Sequence, residues 1–186
     1  MTCSCHTLRT TRRRALGLVA LTALSSSPWL AACSDKADSA ATLAPVEITR
    51  NTSCELDGML LADYPGPKAQ VHYAGQDKPS FFCDTVELFS TLLAGEQVRA
   101  VRAVYVQDMG KAIWEEPQGY WIDAKTALFV VGGKRHGSMG PTIASFAQEA
   151  DATQFASRWG GKVMRFAEVK PDMVDLSGGA LHDTRM

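Results

Sequence analysis

Sulfur-bearing side chains in turn-like sequence are the residues of this chain best suited to chemistry. Cys54 and Met59 lie in the segment Ser-Cys-Glu-Leu-Asp-Gly-Met, where Gly58 allows the backbone to fold back so that both sulfurs face one point. A thiolate and a thioether are the large, polarisable donors that copper(I) prefers. The pair therefore predicts a soft-metal site, although a methionine after a glycine is also typical of core filling.

A second group of possible ligands lies in a loop bounded by glycine and proline. His136 and Met139 belong to the segment Lys-Arg-His-Gly-Ser-Met-Gly-Pro, in which burial in a core is not the obvious reason for a methionine. Cys83 follows two phenylalanines at the start of a helix, so we predict a buried structural thiol there. His72 alternates within a strand and is predicted to be a packing or surface residue.

The N-terminal segment predicts export and attachment to a membrane. Four arginines precede an apolar run over residues 15–24, and small residues lead to Cys33, which is the order found in secretory signals. The apolar run is too short to span a bilayer. Leu-Ala-Ala-Cys resembles the lipobox of bacterial lipoproteins, so we expect Cys33 to be lipidated on the periplasmic side. The general and twin-arginine export routes both remain open.

The charge and the motifs exclude several classes of function. All 20 acidic residues but only 15 of the 19 Lys and Arg residues follow the signal, which leaves a formal charge of −5. The sequence has no basic patch of the kind that would indicate a nucleic-acid partner. The nucleophile elbow, the zinc-protease helix motif and Cys-x-x-Cys are absent, so no enzyme is predicted.

The cysteine count supports a competing interpretation. Only Cys54 and Cys83 follow the predicted lipidation site, and two thiols in an oxidising compartment typically form one disulfide. The first alternative is therefore a lipoprotein interaction module that binds no metal and contains a Cys54–Cys83 disulfide. The second is an enzyme acting on an organic metal or thiol compound, for which Cys83 would be the second reactive thiol.

The elements that must position these residues lie in one part of the chain. Residues 34–45 are rich in Ser, Ala, Asp and Thr and lack apolar periodicity, as in a flexible tether. The Gly-rich polar end predicts disorder. The predicted segments are a signal peptide at 1–32, a tether at 33–45, a folded domain at 46–174 with halves at about 46–107 and 108–174, and a disordered tail at 175–186.

The first half of the domain carries the pattern of two strands, a helix and a further strand. Asp84 is a predicted helix N-cap, Glu87 completes a capping box, and Gly95 ends the helix. Alternating or apolar stretches bounded by turn residues predict the strands. These predicted strands are residues 69–73, 80–82 and 98–106.

The second half repeats this plan. Asp151 is a predicted N-cap for its helix, which ends at Gly160 and Gly161. The predicted strands are residues 120–122, 127–131, 142–146 and 163–169. The repetition predicts an α+β fold of two small similar ββαβ units. The units pack together to bury apolar surface that neither unit could bury alone.

Several of these segments resemble the NosL family of nitrous oxide reductase accessory lipoproteins. The likeness begins with the spacing of Cys54 and Met59 and with Tyr-Pro-Gly-Pro-Lys-Ala-Gln-Val at residues 64–71. It then continues, in order, through residues 104–108, 121–124, 130–132, 139–141 and 166–168. The resemblance covers nearly all of residues 53–169 and includes the lipobox.

The resemblance implies a copper(I) chaperone that delivers copper for the metal centres of nitrous oxide reductase. It also implies two ββαβ units and, as partners, that enzyme and its membrane assembly and transport complex. The family's metal site is carried onto Cys54 and Met59, with Met139 and His136 as further contributors. Many relatives have Cys-x-x-Cys-Gly-Met, whereas Asp57 occupies the inner cysteine position here, so two thiolates on this segment are excluded.

Overall fold

The computed structural model describes residues 43–95, 99–174 and 176. The predicted signal peptide, the lipidation site at Cys33, most of the tether and nearly all of the tail lie outside the described residues. Among the residues that are described, no helix has the length and apolarity needed to cross a membrane.

The first ββαβ unit is an antiparallel sheet with one helix. Its elements are β1 (Ala69–Tyr73), β2 (Ser80–Phe82), α1 (Thr85–Leu93) and β3 (Val101–Gln107). The strand order is β2-β1-β3, and Ala69 in the central strand pairs with Phe82 on one side and Val106 on the other. Asp84 is the N-cap of α1, as predicted, because its side chain accepts the Val86 N–H.

The second unit has the same order of elements and of strands. It contains β5 (Leu128–Val131), β8 (Ala144–Phe146), α2 (Glu149–Trp159) and β9 (Lys162–Arg165), with strand order β8-β5-β9. A short hairpin of β6 (His136–Gly137) and β7 (Gly140–Pro141) lies between β5 and β8. The shared order, with the first strand central in each sheet, confirms the predicted α+β fold of two ββαβ units.

Most strand boundaries shift by one to three residues from the sequence prediction, and three differences change the description of the fold. The strand predicted at 120–122 is β4 (Trp121–Asp123), and it pairs with β3 of the first sheet rather than joining the second. Helix α2 begins at Glu149, so Asp151 lies in its first turn instead of capping it. The last strand ends at Arg165, whose N–H donates to the Glu168 side chain and begins a 3-10 turn.

The two units share a core through the alternating faces of β5. Successive side chains of a strand point to opposite faces, and Phe129 faces α1, where its ring lies 4.9 Å from that of Phe89. Val130 faces the other way, into the cluster that contains Phe155 of α2. Helix α1 therefore packs on the sheet of the second unit as well as on the sheet of the first unit. This packing fixes the position of its N-terminus, where the site lies.

Candidate metal centre

The predicted sulfur loop folds back on itself. Ser53 and Leu60 form an antiparallel bridge, and the Cys54 N–H donates to the Met59 carbonyl at 2.8 Å. Gly58 has a φ of +76°, in the left-handed region that favours glycine, and its N–H donates to the Cys54 carbonyl. The turn therefore brings Cys54 and Met59 together by local hydrogen bonds.

The start of α1 adds a second thiol and a carboxyl group to Cys54. The sulfurs of Cys54 and Cys83 each lie 3.1 Å from Glu87 Oε2, which also accepts the Cys83 N–H. Asp57 Oδ2 lies 3.9 Å from the Cys83 sulfur. The four ligand atoms of these residues lie within 4.8 Å of one another. Asp57 is exposed, whereas Cys54 is 4% exposed and Cys83 and Glu87 are fully buried.

Two sequence predictions about this region are corrected. Cys83 is buried, as expected, but it is a member of the cluster and not only a structural thiol. Glu87 does not complete a capping box, because its carboxyl group turns to the Cys83 N–H and the two sulfurs. Both cysteines are free thiols, so the disulfide of the alternative interpretation is not formed in this structure.

Both predicted thioethers lie beside the cluster, whereas the predicted imidazole lies outside it. Met59 and Met139 are half-buried and pack against the apolar group that contains Cys54 and Cys83. His136 is exposed at the start of β6, and its side chain is not a member of the four-residue group. Two separate loops therefore supply methionines to the same small region.

Asp84 holds the Met139 loop against the start of α1. Besides capping the helix, its carboxylate accepts the Thr142 hydroxyl at 2.5 Å and, at 3.4 Å, the Met139 N–H. The Ser138 hydroxyl donates to the Cys83 carbonyl at 2.6 Å. The side chain that caps α1 thus also sets the position of the loop that carries Met139.

A buried lysine lies behind Cys83. Lys68 is fully buried, and its ammonium group donates to the carbonyls of Cys83 and Pro65, both at 2.9 Å. Gly66, which lies between Pro65 and Lys68 in the sequence, packs so closely on Gly137 that an added Cβ would lie 2.7 Å from the Gly137 Cα. The segment at 65–68 therefore contacts both Cys83 and the Met139 loop.

Burial and hydrogen bonding shift the pKa values of the ionisable groups in and behind the cluster in different directions. A hydrogen bond from the Cys83 thiol, opposed by burial, lowers the pKa of Cys54 to about 6. The same hydrogen bond and burial raise the pKa of Cys83. Burial raises the pKa of Glu87 to about 9, and burial lowers that of Lys68 to about 8 despite nearby acidic groups. At neutral pH, Cys54 is therefore the thiolate, with the Lys68 ammonium group nearby.

Sequence reasoning placed Cys83 beside Cys54 only in the two alternative interpretations, and it missed Glu87 and Lys68 as parts of this region. The one local signal was an acidic residue at position 87 between apolar helix positions 86 and 88. Nothing in that pattern indicates contact with Cys54, because the contact joins residues 33 positions apart.

Comparison with known proteins gives consistent matches. The NosL family model matches residues 45–174. The copper-binding lipoprotein NosL of Stutzerimonas stutzeri is 36% identical over 174 residues, covering 90% of each chain. That of Achromobacter cycloclastes is 36% identical over 149 residues, covering 78% of this chain and 76% of the relative. The crystal structure of the copper chaperone NosL from Shewanella denitrificans matches with a TM-score of 0.67 and 40% identity, covering 69% of this chain and 97% of that one. With a family model that spans most of the chain, and relatives and a solved structure that agree with it, this protein belongs to the NosL family.

Proposed function

We propose that the protein is a carrier of copper(I), which it binds at Cys54 and delivers for assembly of the metal centres of nitrous oxide reductase. The observation that carries this proposal is the packing of two methionines from separate loops, Met59 and Met139, against the group that contains Cys54, and the lowered pKa of Cys54 favours the thiolate that copper(I) prefers. The relatives from Stutzerimonas stutzeri and Achromobacter cycloclastes bear the name copper-binding lipoprotein, which supports the choice of metal.

The proposed coordination uses one thiolate and neutral sulfur donors. Cys54 supplies the anionic ligand, and Met59 and Met139 supply thioethers, a donor set that favours copper(I) over harder ions. His136 stays a prediction as a further ligand, to be reached by movement of the exposed end of its loop. Lys68 offsets the thiolate charge from the protein side, since its ammonium group lies behind Cys83.

Release of the ion is favoured by the position of the site at the surface. Residues 55–58 are exposed, and both methionines are only half-buried, so an acceptor can approach the ion from solvent. A site with a single thiolate permits stepwise replacement of ligands by those of the acceptor, with the neutral thioethers leaving first. The protein then acts as a carrier and not as an enzyme.

The proposed place of action is the periplasmic side of a bacterial membrane. Lipid attached at Cys33 would hold the domain there through the predicted tether at residues 34–45, which spans at most about 43 Å when fully extended. The proposed partners are nitrous oxide reductase and its membrane assembly and transport complex, with no nucleic acid. Confinement near the membrane raises the effective concentration of the carrier at such a complex.

An anaerobic copper(I) competition titration tests the proposal. The reduced, exported protein should withdraw one equivalent of copper(I) from a chromogenic chelator, and Cys54→Ser should bind at least about a hundredfold more weakly. Met59→Leu and Met139→Leu should each lower the affinity about tenfold. Met173→Leu, a methionine at an exposed position far along the chain, is the matched control and should leave the affinity unchanged.

Three outcomes would contradict parts of this proposal. Unchanged affinity in Cys54→Ser would place the copper elsewhere, and no withdrawal by the unaltered protein would reject the carrier function. Delivery is tested separately by copper transfer from the loaded protein to copper-free nitrous oxide reductase. Transfer no faster than that from the chelator complex alone would reject that part of the proposal.

A further inference from the structure

A second surface feature, outside the sulfur cluster, lies beside the C-terminal half of α2. It is a cleft of about 230 Å³, with Arg135, Arg158 and Trp159 at its rim. Apolar side chains of Met109, Phe146 and Phe155 line its floor. The cleft thus combines an apolar base with two guanidinium groups, and the proposed carrier function does not use it.

The Arg135 guanidinium is held in place by aromatic rings. It lies 3.9 Å from the ring centroid of Trp114 and 5.3 Å from that of Trp159. Its ion pair, at 3.2 Å, is with the exposed carboxylate of Glu115. These ring contacts and the ion pair restrict the Arg135 guanidinium, so it loses less motion when a ligand binds.

Arg158 brings a second positive charge to the same cleft. Its guanidinium lies 5.3 Å from the Trp159 ring, and within the described part of the chain no carboxylate lies within 4.0 Å of it. Burial lowers the pKa of Arg135, and the neighbouring charge of Arg158 adds to this effect despite Glu115. Asp151 also lines the cleft, but its carboxylate lies against Gly110 and forms no ion pair with either arginine.

We propose that this cleft binds a phosphate group, carried by a phospholipid headgroup or by a soluble phosphate compound. Among the described residues, only Arg135 of the two arginines forms an ion pair, so the edge of the Arg158 guanidinium can bind an oxyanion through paired hydrogen bonds. Backbone contacts also place two exposed lysines near Trp159 and the end of β5. The Lys134 N–H donates to the Trp159 carbonyl, and Lys162 pairs with Val131 at the adjacent strand end.

Both sources of phosphate fit the surroundings of the cleft. Exposed Lys134 and Lys162 beside a half-buried tryptophan are the combination found where proteins meet anionic membrane surfaces. A soluble phosphate compound would use the same two arginines and the same apolar floor. The two sources are therefore separated by experiment.

Fluorine NMR of the exported protein labelled with fluorotryptophan, in neutral detergent, tests this proposal. Inorganic phosphate or phosphatidylglycerol should shift the signals of Trp159 and Trp114, which contact the arginines. Trp121, whose indole N–H donates to Glu47, lies in the first sheet and serves as the internal reference. Diacylglycerol with the same acyl chains is the control for lipid without phosphate.

The variants assign the shifts to the cleft. Arg158→Gln and Arg135→Gln should each weaken binding at least fivefold, whereas Arg102→Gln, an exposed arginine of β3, should not change it. Arg158 is exposed, so its variant is informative even if Arg135→Gln fails to fold. Shifts with phosphatidylglycerol alone identify a lipid headgroup, and shifts with inorganic phosphate alone identify a soluble ligand. No shift with either, or equal binding in Arg158→Gln and the unaltered protein, would overturn the proposal.

Discussion

Glu87 Oε2 lies 3.1 Å from the Cys54 sulfur, although the two residues are 33 positions apart. The carboxyl group reaches from the first turn of α1 to the loop that carries Cys54, and on the way it accepts the Cys83 N–H. One oxygen therefore joins the helix start to the sulfur loop. The position of Cys54 depends on α1 as much as on its own turn.

This contact predicts how Glu87 contributes to stability. Glu87→Ala should lower the free energy of unfolding by about 1–3 kcal/mol, because it leaves the buried Cys83 N–H without an acceptor. Glu87→Gln keeps a carbonyl oxygen at that place and should cost less than about 1 kcal/mol. Urea unfolding followed by circular dichroism measures both. Equal losses in the two variants would show that the oxygen has no special role.

The state of Cys54 predicts a pH dependence in the metal-free protein. Because the Cys83 hydrogen bond lowers the pKa of Cys54 to about 6, the charged form is favoured and the thiol loses its proton before neutral pH is reached. Ultraviolet thiolate absorbance should therefore rise as the pH increases from about 5 to about 7. Cys54→Ser should lack this step. Cys83→Ala should move it upward, toward the pKa of an ordinary thiol.

An unchanged step in Cys83→Ala would mean that the hydrogen bond is not the cause. A step above about pH 8 in the unaltered protein would contradict the thiolate assignment itself.

The close approach of two glycines predicts a difference between two similar substitutions. Gly66 and Gly75 both have positive φ, +83° and +76°, so alanine at either position carries a backbone strain of about 1–2 kcal/mol. A Cβ at Gly75 meets nothing within 4 Å, whereas one at Gly66 meets the Gly137 backbone at 2.7 Å. Gly66→Ala should therefore cost about 1–3 kcal/mol more than Gly75→Ala.

Thermal or urea unfolding of the two glycine variants gives this difference directly. Equal costs would mean that the segment at 65–68 can move away from the Met139 loop without loss of stability.

The two free cysteines predict the outcome of a thiol count. The exported protein, without the signal that carries Cys3 and Cys5 and with Cys33 lipidated, should contain two titratable thiols when purified in air without reductant, and reduction beforehand should not increase that number. Cys54 should react first with a thiol reagent, because its thiolate is the nucleophile. If thiols are recovered only after reduction, the disulfide of the interaction-module interpretation would replace the carrier proposal.

Patterns with a short sequence range were predicted from the sequence and are confirmed by the structure. The strand at 69–73, the N-cap at Asp84 and the helix end at Gly160 depend on alternation, capping and turn preferences of adjacent residues. The return of the chain from Cys54 to Met59 is also local, since it needs a turn and a residue that tolerates positive φ at Gly58. The family could be identified because its motifs lie in such segments.

Only the tertiary structure decided which of these segments meet. The pairing of β4 with β3, the burial of Lys68 and the contact of Glu87 with two sulfurs all join positions distant in sequence. Local preferences do not determine such contacts, because they arise when two sheets and α1 bury a shared apolar core. The sequence by itself thus determined the repeated ββαβ plan and the turn that holds Cys54 near Met59. Packing decided that Cys83 and Glu87 complete the surroundings of Cys54 and that Met139 lies beside them.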